Sequence, residues 1–189
     1  MLFRSELHLR HVDFTGHSGR LCALLRDPGS WHQLRSFTFT AEHCEAQHFN
    51  HFFSVLACAH SSLEHLTFRT QSSDPVDLID TVPLHRLRSL TTSHNLLSLE
   101  GFPEVVPNLR DLEVTDLLYA THLLFLKNII CCKRSFPNLR RLRVNLSECS
   151  IRQWLGLGCV LEVLVASCEG LVDEVEVICP TFIKSTLNV

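Results

Sequence analysis

One six-residue pattern, Leu-x-x-Leu-x-Leu with apolar substitutes, recurs along this chain and constrains its fold more than any other feature. It reads Leu9 to Phe14, Leu34 to Phe39, Leu63 to Phe68, Leu87 to Thr92, Leu109 to Val114, Leu139 to Val144 and Leu161 to Ala166. The uneven spacing of these opening leucines stays close to the range expected of leucine-containing solenoid repeats. Within each copy the fourth and sixth positions alternate with mostly polar ones, the period of a strand with one buried side. Parallel strands require return segments, and the intervals supply them. Phe49, Phe52, Phe53 and Leu56 mark one face of a helix, Leu21, Leu24 and Leu25 follow the N-cap candidate Ser18, and Asp74-Pro75 opens a turn through Ile79. A fifth return runs from Asp116 through Leu123, Leu126 and Ile130, and a brief sixth surrounds Ile151, Trp154 and Leu155. Pro107-Asn108 and Pro137-Asn138 stand directly before strand-opening leucines, where proline ends the preceding element. Val172, Val175 and Val177 fit a degenerate terminal strand, although Val172 follows Leu161 too closely for a full unit to lie between them.

Composition narrows the class. With 46% hydrophobic and 20% charged residues over 189 positions, the chain has enough apolar material for a core without disulfides or metal. We expect one domain over 1–189, built of about seven irregular repeats, with the alternative that it is a piece of a longer protein. Net charge is -3 and the 17 basic residues are dispersed along the sequence, which argues against a nucleic-acid partner. Nine cysteines at unpatterned positions, with no secretory signal before them, point to a reducing compartment, cytoplasmic or nuclear. The apolar stretch Leu117 to Cys132 is interrupted by Thr121, His122, Lys127 and Asn128, so it reads as a buried helix and no membrane partner is expected.

The repeated units, above all Pro-Asn-Leu-Arg-Asp-Leu-Glu-Val at 107–114 and Pro-Asn-Leu-Arg-Arg-Leu-Arg-Val at 137–144, resemble the leucine-rich repeats of eukaryotic F-box-type proteins. The resemblance spans roughly Leu7 to Ser167 and implies an α/β leucine-rich repeat solenoid, right-handed, with a parallel sheet on its concave face and helices on its convex face. It further implies a protein-interaction scaffold, the substrate-recognition part of a ubiquitin ligase subunit. The sequence departs from regular families in two ways: of the asparagines that usually follow the third leucine only Asn95 is present, and no F-box-like segment precedes Leu9. Ubiquitin-ligase components are therefore expected as partners only if an F-box lies outside this chain. Alternative readings are the repeat part of an immune receptor, a GTPase-activating regulator, or a truncated fragment with no independent function.

In such a solenoid the third, fifth and seventh positions of each unit face outward. On that row Arg69, Asp111, Glu113, Arg141 and Arg143 form a candidate patch for a protein ligand, with Val163 and Val165 as its apolar margin. The competing reading is that Asp111 and Glu113 merely pair with Arg141 and Arg143 across adjacent strands. Catalytic, cofactor and metal residues are not expected. Cys44, His48 and His51 have helical spacing for soft ligands, but a cysteine beside surface histidines accounts for them without zinc. Cys131 and Cys132 lack the two intervening residues of a redox pair and read as helix-end packing. Gly156 and Gly158 open no phosphate-binding loop, and the chain carries no Gly-x-Ser-x-Gly or His-Glu-x-x-His motif.

Overall fold

The structure, a computed structural model, describes residues 28–41, 46–70, 82–93, 101–117, 119–131 and 136–180. The Leu9 copy, the Ser18 to Leu25 return, the Asp74 to Ile79 turn, Cys44, Asn95 and Cys132 lie outside these residues. The fold is α/β. Six strands form one sheet, all parallel and in sequence order: β1 (Ser36–Ala41), β2 (His65–Thr70), β3 (Ser89–Ser93), β4 (Asp111–Thr115), β5 (Arg141–Asn145) and β6 (Glu174–Ile178). Between them the described residues carry helices α1 (Ala46–Ala59), α2 (Phe102–Val105), α3 (Ala120–Cys131) and α4 (Ile151–Cys168), and a 3-10 turn at Pro28–Gln33 precedes β1.

The register follows the pattern position by position. Phe37, Leu66, Leu90, Leu112, Leu142 and Val175 are aligned across the sheet, as are Phe39, Phe68, Thr92, Val114, Val144 and Val177. The carbonyl at the second position of each rung fixes this alignment, because it accepts two amides from the next rung. Arg35 O takes Glu64 N and His65 N at 2.8 and 2.9 Å, and Arg140 O takes Asp173 N and Glu174 N at 2.7 and 3.0 Å. Glu64, Arg88 and Arg110 carbonyls do the same in between. A second device sets the entry to the strand. The opening leucine's amide bonds the carbonyl at the third position before it, Trp31 for Leu34, Leu84 for Leu87, Val106 for Leu109 and Phe136 for Leu139, and each of these acceptor residues is buried.

One core lies between the sheet and the returns. Helix α1 forms where its apolar residues recur at helical spacing, and Phe52 from it meets Phe37, Phe39 and Phe68 with ring centroids 5.9, 5.1 and 4.5 Å apart. Leu123, Leu126 and Ile130 of α3 are buried as the fifth interval predicts.

The C-terminal part corrects the sequence reading. Leu161 to Ala166 is not a strand but lies within α4, which runs 18 residues where the sequence predicts a brief turn. Leu157, Leu161, Leu164 and Cys168 recur at i, i+4, i+7 and i+11 and are buried, whereas Ala166, which a strand would turn inward, is exposed. A capping box starts the helix: Ser150 Oγ accepts from Gln153 N at 3.4 Å, and Gln153 Oε1 accepts from Ser150 N at 2.8 Å. The rung after β5 is thus the Val172, Val175 and Val177 unit, with Val172 taking the place that Leu139 holds in the rung before. Helix α4 has the length and mean hydropathy, 1.4, of a segment able to cross a bilayer, but its buried stripe joins the common core.

Candidate functional site

The sheet has one face in the core and one face of polar side chains. On the latter stand Ser36 and Thr38, His65, Thr67 and Arg69, Ser89 and Thr91, Asp111 and Glu113, Arg141 and Arg143, and Glu174 and Glu176. All of them are exposed or half-exposed. The seventh position behaves differently in β3 and β4: Ser93 and Thr115, expected outward, are buried. Thr115 Oγ1 donates to Asp116 Oδ2 at 2.7 Å, and Asp116 turns the chain out of β4 with a left-handed φ of 59°.

Of the seven sequence-predicted patch residues, five share this face. Arg69 reaches Glu148 Oε1 at 2.9 Å and Asp116 Oδ1 at 3.9 Å. Arg141 lies 3.6 Å from Asp111 and Arg143 lies 3.5 Å from Glu113, so the cross-strand pairing does form. Each arginine is held closer on its other side, by Glu174 and Glu176, at 2.7 Å in both cases. Sequence reasoning passes over these two glutamates because the Leu161 segment takes their rung. Their signal is the plain alternation Val172-x-x-Val175-x-Val177. Hydrogen bonding to Glu174, then its charge and that of Asp111, raises the pKa of Arg141, and Arg143 is raised in the same direction first by its bond to Glu176. The result is a charge ladder, acid on β4, base on β5, acid on β6. Asp111, Glu113, Glu174 and Glu176 outnumber Arg141 and Arg143, so this end of the face carries a net negative charge.

Val163 and Val165 do not border the patch. Both are on α4, where Val163 is 46% exposed, because the segment that carries them is helical. Ile151 and Leu155 of α4 are exposed as well, and so are Leu124 and Phe125 of α3.

A different charged surface lies at the strand-entry edge. Arg88, Arg110 and Arg140 occupy the second position of three adjacent rungs and line a groove of 570 Å³ together with Arg86 and Asp173. Its wall is stiffened by the two Pro-Asn turns: Asn108 Nδ2 donates to His85 O at 2.9 Å and Asn138 Nδ2 donates to Pro107 O at 3.1 Å. These asparagines link consecutive turns before the strands.

Among the described residues no group of three or more His, Cys, Asp or Glu side chains is placed to hold a metal ion. The side chains of Cys44, His48 and His51 lie outside the described residues. Cys131 Sγ donates to Ser167 O at 3.6 Å, a contact between the ends of α3 and α4. The chain matches no family model and, by sequence, no curated protein.

Proposed function

We propose that the chain is a leucine-rich repeat solenoid that holds another protein, a scaffold and not an enzyme, of the kind that forms the substrate-receiving arc of an F-box-type ubiquitin ligase subunit. One observation carries this reading. Parallel sheets are ordinarily covered on both faces. Here six parallel strands bury one face, and among the described residues the other keeps its hydroxyl, imidazole and charged side chains in contact with solvent. Side chains on rigid, register-locked strands form a surface of fixed shape, which suits recognition of a folded or extended polypeptide.

Site-specific photo-crosslinking in cells tests it. A photoreactive residue at Thr67 or Thr91 on the open face is expected to give the same discrete protein adduct, and the same residue at the exposed Glu162 of α4 is expected to give none of it. Absence of an adduct from the face, or an identical adduct from Glu162, overturns the proposal. Co-purification of cullin-ligase subunits with the protein tagged at its own locus, together with any segment encoded beyond this chain, separates the substrate-receptor form from other scaffolds.

A further inference from the structure

We infer that the strand-entry groove is a second docking surface, and that its occupant is a short acidic run of a partner polypeptide. This inference is independent of what the open face binds. It rests on a contrast within the fold. Across β4, β5 and β6 the charges alternate, and every cation on that part of the face has a carboxylate within 3.6 Å on one side or the other. One position earlier, at the entries to β3, β4 and β5, the sign repeats instead: Arg88, Arg110 and Arg140. The ion pairs among the described residues involve Arg69, Arg141 and Arg143, and none involves Arg86, Arg88, Arg110 or Arg140.

Like charges on neighbouring strands repel, so this row adds nothing to stability by itself. Neighbouring strands stand about 4.8 Å apart, which places the outer two of these arginine backbones roughly 10 Å from each other. About three to four residues of extended polypeptide cover that distance, at about 3.3 Å each. The groove therefore matches a short run of Asp or Glu lying across the rungs, each carboxylate within reach of a guanidinium fork.

Charge also sets the length of the ligand. Asp173 closes the row beyond Arg140, Glu64 closes it before Arg88, and the adjacent open face is acidic at its β4–β6 end. A long polyanion such as nucleic acid would run into these carboxylates, and the chain's net charge of -3 gives it no compensating field.

Fluorescence anisotropy with the full chain and a labelled tetraglutamate peptide flanked by Gly-Ser decides the matter. At low salt the peptide is expected to bind saturably, and R88Q/R110Q/R140Q is expected to weaken it by about tenfold, while K127Q/R152Q, on two helices that do not line the groove, leaves it unchanged. Circular dichroism checks that each variant is folded. Should the triple variant fail to fold, R110Q alone is expected to weaken binding about threefold. Three results overturn the proposal: no binding above that of a Gly-Ser control peptide, equal binding by wild type and the groove-arginine variants, or binding of a single-stranded oligonucleotide of equal charge about tenfold tighter than the peptide.

Discussion

Burial pushes the Cys168 thiol up to about 11, with a further rise from nearby Cys131, so at neutral pH it is a small apolar group in the core. Cys149 is raised by the same cause, with Glu148 and Asp116 adding to it. Cys159 on α4 is exposed. Alkylation by iodoacetamide at mildly alkaline pH, followed by peptide mass mapping, is expected to modify Cys159 while Cys168 and Cys149 stay protected until the chain unfolds. Similar labelling rates at all three would contradict their placement. The sign of the pH effect follows from the raised value. The folded state holds the Cys168 proton more tightly than the unfolded chain does, so this contribution is intact below the ordinary thiol pKa and stability falls as pH climbs from there toward about 11. His122 acts at the other end. Desolvation lowers its pKa against a smaller opposing bond to the Asp116 backbone, so its contribution is present above the usual imidazole value of 6.5 and is lost as pH falls below it. Urea titrations of wild type and His122→Asn between about pH 7 and 5 are expected to show the wild type losing more stability over that interval than the variant. At this scale Asp111, Glu113, Arg141 and Arg143 were legible, because period-two alternation assigns each to a face without knowledge of its neighbours. Ser93 and Thr115 were not, since their burial depends on how the chain leaves the strand.

Helix α4 shows where an element can be misread. The step from Leu161 to Leu164 is one that the first and fourth positions of the strand pattern share with one face of a helix, so the pair alone could not decide. Two signals decide it: Ser150-x-x-Gln153 is a helix-start signature, and Leu157 and Cys168 extend the stripe at helical period only. Truncating the cap by Ser150→Ala is expected to cost about 1 kcal/mol in urea unfolding. Ala166→Lys separates the two assignments: on the exposed side of a helix it should change stability by less than about 0.5 kcal/mol, whereas an inward strand position would not accept a charge. The short α2 had no sequence signal, since its four residues carry too few turns for a periodic stripe. Helices α1 and α3 were readable because their apolar residues repeat at helical spacing along each element.

At the scale of the molecule, the repeat predicts the parallel sheet and its sequential order because each unit can bury its apolar side only against the units before and after it. Phe52 ties the return α1 to two rungs at once, through Phe37 and Phe39 on β1 and Phe68 on β2. Phe52→Ala is therefore expected to lower stability by about 3–5 kcal/mol, measured by chemical denaturation, and a loss below about 1 kcal/mol would mean that this packing does not hold the rungs together. The count of rungs was harder to read than their existence, since the interval from Leu139 to Val172 is longer than those before it and hides a pseudo-copy inside a helix. The carbonyls shared by two amides carry one more implication. A residue inserted within a rung would turn its apolar side to water and put its hydrogen bonds out of step with both neighbours. One inserted in a return outside its helix would disturb neither. Length drift in relatives of this chain should thus collect in the connecting stretches, which are also the places where a foreign epitope could be spliced without loss of alignment.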